Sequence, residues 1–138
     1  MKIFLKFINF FWTNSKNPPY WLNRRLFMEQ LIEKSFKDLE GMTDVIANRF
    51  FLARRIHALK HEDCLAEFDY GDGTNYDQYL EKVSKAFESL SEGERNLINN
   101  EFFFQSYHNW WESIYSKATF YRYKRKAMMK FLGAFYNE

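Results

Sequence analysis

The residues best suited to binding chemistry lie together near the carboxyl end, in a run without a carboxylate from residue 117 to residue 137. A surface helix usually mixes its charges, so a face of one sign predicts an anionic partner. The net charge of the whole chain is only +2, so this prediction rests on where the charges lie rather than on their sum. The polar positions of the run include Lys117, Tyr121, Arg122, Lys124, Arg125, Lys126 and Lys130.

One helix is predicted to carry these side chains. Ser116 stands where an N-cap is expected, because its hydroxyl can accept a hydrogen bond from the backbone amide of Thr119. No proline follows, and the first glycine is Gly133, so the helix is predicted to run to about Tyr136. Apolar residues at steps of three and four predict a buried stripe, which consists of Phe120, Tyr123, Ala127, Met128 and Phe131.

Two shorter helices are predicted immediately before this one. Ser91 and Glu94 fit a capping box, in which each side chain accepts a hydrogen bond from the backbone amide of the other residue. The box begins a helix over about 92–104, and a short helix over about 108–114 then leads to the basic helix. The inward residues of the first are expected to be Leu97, Ile98, Phe102 and either Phe103 or Phe104.

The first part of the chain is also predicted to be helical. Apolar spacing predicts a helix from residue 20 to residue 40 that ends with Gly41 as a left-handed cap. Thr43 is predicted to cap a second helix over 44–61, and a third is expected over about 75–89. The second helix is expected to expose Arg49, Arg54, Arg55 and Lys60 and to bury Val45, Ile46, Phe50, Leu52, Ile56 and Leu59.

Composition favours an all-α fold. Five glycines and two prolines in 138 residues are too few for the turns of a sandwich or barrel, while 46% apolar residues supply a core. We expect an apolar arm (1–19), a helical part (20–87) and a C-terminal part (88–138), the last two forming one compact unit. Its apolar stretch, Met1–Trp12, is about half the ~20 residues that a membrane span requires, and no signal-peptide cleavage site precedes Pro18-Pro19. No membrane span is therefore predicted.

Neither a catalytic site nor a cofactor or metal site is predicted. The single Cys64 cannot form an internal disulfide and suits a reducing cytoplasm. His57 and His61 lack the glutamate that follows the first histidine of a zinc metalloprotease motif. The acidic turn around Gly73 fails as a calcium loop, because Tyr79 falls where a bidentate glutamate is needed. We therefore expect a cytoplasmic protein that is not an enzyme.

The order of motifs in the last fifty residues resembles a known family. The chain reads Leu90-Ser91-x-x-Glu94-Arg95-x-Leu97-Ile98, then a short helix, then Tyr115-Ser116-x-x-Thr119-Phe120-Tyr121-Arg122-x-Lys124-x-x-Ala127. This pattern looks like the helix-turn-helix of sigma-factor region 4. It is closer to the ArpU-type transcription regulators of bacteria and phages, whose recognition helix reads Ser-x-x-Thr-Tyr-Tyr-Arg-x-Lys-x-x-Ala. The resemblance covers about 88–136.

The resemblance implies a transcription regulator that binds double-stranded DNA with its last long helix. It also implies that Tyr115, Phe120 and Tyr123 anchor this helix and that Ala127 allows close helix packing. The residues that it would turn toward the major groove are Lys117, Ala118, Tyr121, Arg122 and Arg125, where an arginine can bind guanine O6 and N7. Those expected to meet phosphates are Lys124, Lys126 and Lys130.

A departure from the family pattern supports an alternative function. Trp110 and Trp111 are adjacent, and two adjacent residues of a helix cannot both point inward. The second tryptophan is therefore expected either to be covered by the N-terminal half or to be exposed for a partner. In the latter case the domain would be a protein-interaction module that binds RNA polymerase or another protein through an aromatic surface.

Overall fold

The all-α prediction is confirmed by a computed structural model, which describes residues 20–59, 75–104 and 107–136. Within these residues there is no strand, and no helix is both long and apolar enough to cross a membrane. Predictions for the apolar arm and for 60–74, including those for Lys60, His61, Cys64 and the acidic turn, lie outside the described residues. The helices are α1 (Tyr20–Glu33), α2 (Phe36–Ala58), α3 (Tyr76–Glu88), α4 (Glu92–Ile98, continued by a π-helical turn, Asn99–Phe103) and α5 (Lys117–Tyr136).

Helix α5 occupies the centre of the fold and packs against the other four helices. Its buried stripe is largely as predicted, because Phe120, Ala127, Met128 and Phe131 are all at most 2% exposed. Two positions differ from the prediction. Tyr123 is 42% exposed, and Lys124 is buried in its place. The buried face of α5 is therefore rotated slightly from the one that apolar spacing alone indicates.

The boundary between α1 and α2 differs from the predicted one. Helix α2 begins after Ser35, whose side chain accepts from the Asp38 amide at 3.1 Å, and it continues through Gly41 and Thr43. Thr43 is not an N-cap, since its buried hydroxyl donates to the Leu39 carbonyl at 2.8 Å. A glycine inside a helix costs only about 1 kcal/mol relative to alanine, which packing along a 23-residue helix outweighs.

Substitution Gly41→Ala distinguishes the observed helix boundary at Ser35 from the predicted one at Gly41. A cap in the left-handed conformation would make alanine destabilising, whereas a helix interior makes it stabilising. A Cβ atom at Gly41 would meet nothing within 4 Å, so we expect the free energy of unfolding to rise by roughly 0.5–1 kcal/mol. Urea denaturation followed by circular dichroism would measure it. A loss of stability would instead indicate that a helix ends at Gly41.

The serine caps predicted in the second half are confirmed. Ser91 and Glu94 exchange both bonds of the capping box, and Ser116 accepts from the Thr119 amide at 3.3 Å. Burial raises the pKa of Glu94, but hydrogen bonds from Ser91 and Lys130 outweigh that effect, and the net shift is downward. These ends depend on neighbours three residues apart, which is why local sequence predicts them.

The inward face of α2 was only partly predicted. Ile46 and Ile56 are buried, but Val45, Leu52 and Leu59 are each more than 40% exposed. The face that packs consists instead of Leu39, Thr43, Ile46, Ala47, Ala53 and Ile56. The small residues Ala47 and Ala53 admit close packing, so the contact runs through them rather than through the larger neighbours. The predicted exposure of Arg49, Arg54 and Arg55 is confirmed.

Candidate nucleic-acid interface

The segment before α5 is a series of turns rather than the predicted helix 108–114. Its hydrogen bonds mostly join residues three apart, as from the Trp110 amide to the Tyr107 carbonyl at 3.1 Å. Because the segment is not a regular helix, both tryptophans reach the same ring. Trp111 stacks on Phe120 with centroids 4.4 Å apart, and Trp110 meets it edge-on at 6.0 Å. The two indoles hold the first turn of α5 and do not form an exposed aromatic patch.

Lys124, which is predicted to meet a phosphate, is not on the outer face of α5. Its Nζ atom donates to Glu40 Oε2 at 2.9 Å and to Glu101 Oε2 at 3.3 Å, and its side chain is only 8% exposed. The other oxygen of Glu101 accepts from the Trp110 indole at 3.1 Å. The ammonium also lies 5.6 Å from the Phe36 ring. Lys124 therefore ties α2, the π-helical turn and the 107–115 segment to α5.

Two further predicted DNA-binding cations have partners within the molecule. Arg125 donates to the carbonyls of Ile32 (3.2 Å) and Lys34 (2.8 Å), at the carboxyl end of α1. Lys130 forms an ion pair with Glu94 at 3.2 Å. These contacts fasten α1 and α4 to α5. The structure therefore gives both residues a positioning role within the fold.

The other five predicted residues of α5 are exposed: Lys117, Ala118, Tyr121, Arg122 and Lys126. Residues 118, 122 and 126 recur at steps of four, so they form one ridge along the helix. In the described part of the chain, no carboxylate pairs with the three cations of this group, and the Arg122 guanidinium lies 5.7 Å from the Tyr123 ring. We call these five residues the basic ridge.

The corner between α1 and α2 adds two lysines that sequence reasoning missed. Lys34 lies against α5 through its carbonyl bond to Arg125, and the Phe36 ring contacts Tyr121 with centroids 5.6 Å apart. The corner therefore brings Lys34 and Lys37, whose side chains are exposed, to the side of α5 that carries Tyr121 and Arg125. No local signal could have found them, because they lie at least eighty residues before the basic ridge in sequence.

The basic ridge and the two lysines of the corner have the charge that suits a polyanion, whereas another exposed polar contact is an ordinary pair between helices. His57 Nδ1 lies 2.9 Å from Asp77 Oδ1 in a pair between α2 and α3 in which both side chains are about half exposed. Among the described residues, no three His, Cys, Asp or Glu side chains are grouped as metal ligands. The ridge is therefore the candidate site.

No protein-family model matches the chain, and neither a curated protein sequence nor a solved structure is significantly similar to it.

Proposed function

We propose that the protein is a DNA-binding transcription regulator, in which the amino-terminal half of α5 enters the major groove. The observation that carries the proposal is the basic ridge, which is exposed and lacks carboxylate partners among the described residues. A row of phosphates is a suitable anionic partner for such a ridge, because duplex DNA carries one negative charge per ~1.7 Å of its helix axis. The sequence resemblance to ArpU-type and sigma region 4 domains supports the same function.

The rigidity of α5 favours groove binding over loose electrostatic contact. Phe120 is held by two indoles and Lys124 by two carboxylates, so the first turns cannot shift without breaking buried contacts. A helix fits the ~12 Å width of the major groove, where the Arg122 fork matches guanine and the Ala118 methyl matches thymine. Lys34 and Lys37 would meet phosphates beside the groove, which sets register without reading sequence.

Charge reversal on the ridge tests this function. We expect Arg122→Glu with Lys126→Glu to weaken binding to a random DNA duplex at least about 30-fold, from ~1–3 kcal/mol per contact. The slope of log affinity against log salt should also fall in magnitude by about 1, since each phosphate contributes ~0.9 and Lys126 is the phosphate contact of the pair. Fluorescence anisotropy of the full chain across a salt series measures both quantities.

The matched control is Arg55→Glu with Lys85→Glu, which changes the net charge equally at exposed positions of α2 and α3. We expect the control to keep most of the affinity. Equal losses in the two variants would mean attraction to net charge alone, without a defined interface. Absence of binding by the unaltered protein at low salt would remove the proposal altogether.

A further inference from the structure

An apolar groove lies between α2, α3 and the π-helical turn, and its lining includes no residue of the basic ridge. Five phenylalanines line its walls, and the groove encloses about 200 Å³. Phe104 is 70% exposed and Phe51 is 41% exposed. A contiguous exposed apolar patch with a polar rim is characteristic of protein-interaction sites and ligand-binding grooves. The lining consists of Phe50, Phe51, Arg54, Phe87, Asn99, Phe103 and Phe104.

The base of the groove is formed in advance by ring packing. Phe103 meets Phe50 at 5.3 Å and Phe87 at 4.8 Å between centroids, and Phe87 meets the buried Phe131 at 5.4 Å. These edge contacts connect the groove to the core, so its shape does not depend on a ligand. A cavity of about 150 Å³ suffices for benzene. The groove therefore has room for one aromatic or branched aliphatic side chain.

The groove and the basic ridge lie on different sides of α5. Phe131, behind the base of the groove, belongs to the buried face of α5, whereas Arg122 and Lys126 belong to its exposed face. A DNA duplex on the ridge would leave the groove open. The groove can therefore be occupied independently, and an inference about it does not rest on the proposed DNA binding.

Charge decides between the possible occupants. Arg54 is the charged residue of the described lining, with its guanidinium 6.0 Å from the Phe50 ring, and the adjacent Arg55 is also exposed. If the grooves of two copies faced each other across a two-fold axis, their Arg54 side chains would lie near each other. Like charges at such short range oppose association, whereas a carboxylate beside an apolar anchor would satisfy Arg54.

We propose that the groove binds an acidic segment of a protein partner, with one aromatic or large aliphatic side chain inserted between Phe51 and Phe104. A carboxylate next to this anchor pairs with Arg54. A buried apolar anchor with a charged rim is the usual arrangement of a peptide-binding groove, in which the anchor supplies most of the binding free energy.

The test uses a synthetic helical peptide of 16 residues with one phenylalanine flanked by glutamates, labelled for fluorescence polarisation against the full chain. We expect saturable binding that falls at least 10-fold for the peptide with alanine in place of phenylalanine. It should fall similarly for the peptide with glutamines in place of the flanking glutamates. On the protein, Phe51→Ser and Arg54→Glu should each weaken binding at least 10-fold.

Neighbouring positions provide matched controls. Leu52 is as exposed as Phe51 but lies outside the groove lining, so Leu52→Ser should leave binding unchanged; Arg55→Glu is the corresponding control for Arg54→Glu. Circular dichroism confirms that each variant is folded. Binding that is absent at 1 mM protein, or equally reduced by the controls, overturns the proposal. Concentration-dependent self-association that disappears in Phe104→Ser also overturns the proposal, because the occupant of the groove would then be a second copy of the chain.

Discussion

Replacement of Lys124 by alanine is expected to lower the free energy of unfolding by about 3 kcal/mol. Removing one partner of a buried ion pair costs ~3–5 kcal/mol, because the remaining charge stays desolvated without its counter-charge. The Glu101 side chain is only 19% exposed, whereas the Glu40 side chain is 35% exposed and gains some solvation from water. This partial exposure places the expected loss at the lower end of that range. Urea denaturation followed by circular dichroism measures it.

Two controls identify the source of the loss. Lys85→Ala removes an exposed pair with Glu81 at 3.4 Å and should cost less than ~1 kcal/mol. A triple variant, Lys124→Met with Glu40→Gln and Glu101→Gln, removes all three charges and keeps an unbranched apolar side chain near Phe36. Neutral replacement of a whole buried ion cluster is often close to neutral in stability, so the triple variant should recover most of the loss. If Lys124→Ala cost no more than Lys85→Ala, the buried cluster would contribute nothing specific.

The pKa of Asp44 provides an independent readout of the same cluster. Burial raises the pKa of Asp44 above 3.8, and the Glu40 carboxylate raises it further, while Lys124 lowers it. Loss of Lys124 should therefore raise this pKa again, which carbon-detected NMR titration can follow. A raised pKa in the folded state favours folding at low pH and loses that contribution as pH rises from 3.8 through the folded value. The deficit of Lys124→Ala should accordingly be smaller in acid.

Replacement of Phe120 by alanine is expected to cost ~3–5 kcal/mol, as for buried aromatic residues generally. Phe120 is 2% exposed and lies between the two indoles, so its removal leaves a cavity and unpairs the stacked Trp111 ring. Stacked aromatic pairs add about 0.5–1.5 kcal/mol beyond the area that they bury, which favours the upper part of the range. Thermal and urea denaturation would both report the loss.

Tyr123→Ala is the matched control for Phe120→Ala, because apolar spacing places both residues on the same stripe, yet Tyr123 is 42% exposed. We expect it to cost less than half as much, since part of its ring is in water and its contact with Tyr115 is at the surface. Equal losses of stability in the two variants would mean that Tyr123 is buried as apolar spacing predicts, which would contradict its observed exposure. A loss below about 1 kcal/mol for Phe120→Ala would mean that Phe120 is not a core residue. It would also mean that Phe120 does not hold the basic ridge in place.

The amino-acid sequence by itself determined the features that depend on near neighbours. The caps at Ser91 and Ser116, the course of α5 to Tyr136 and the all-α class follow from side chains three or four residues apart and from the scarcity of turn residues. The run without carboxylates after residue 116 is likewise a property of the chain order. These features depend on contacts between residues that are close in sequence, and residue spacing records such contacts directly.

Tertiary structure alone decided which cations of that run are exposed. Lys124 and Arg122 look equivalent in sequence, but carboxylates 84 and 23 residues away from Lys124 draw it into the core. Arg125 is held by carbonyls more than ninety residues earlier in the chain, and the same contact places the Lys34 backbone against α5. The same holds for Trp110 and Trp111, which share Phe120 because their segment forms turns. Pairing across such separations depends on how helices pack, and no helical period in one segment records it.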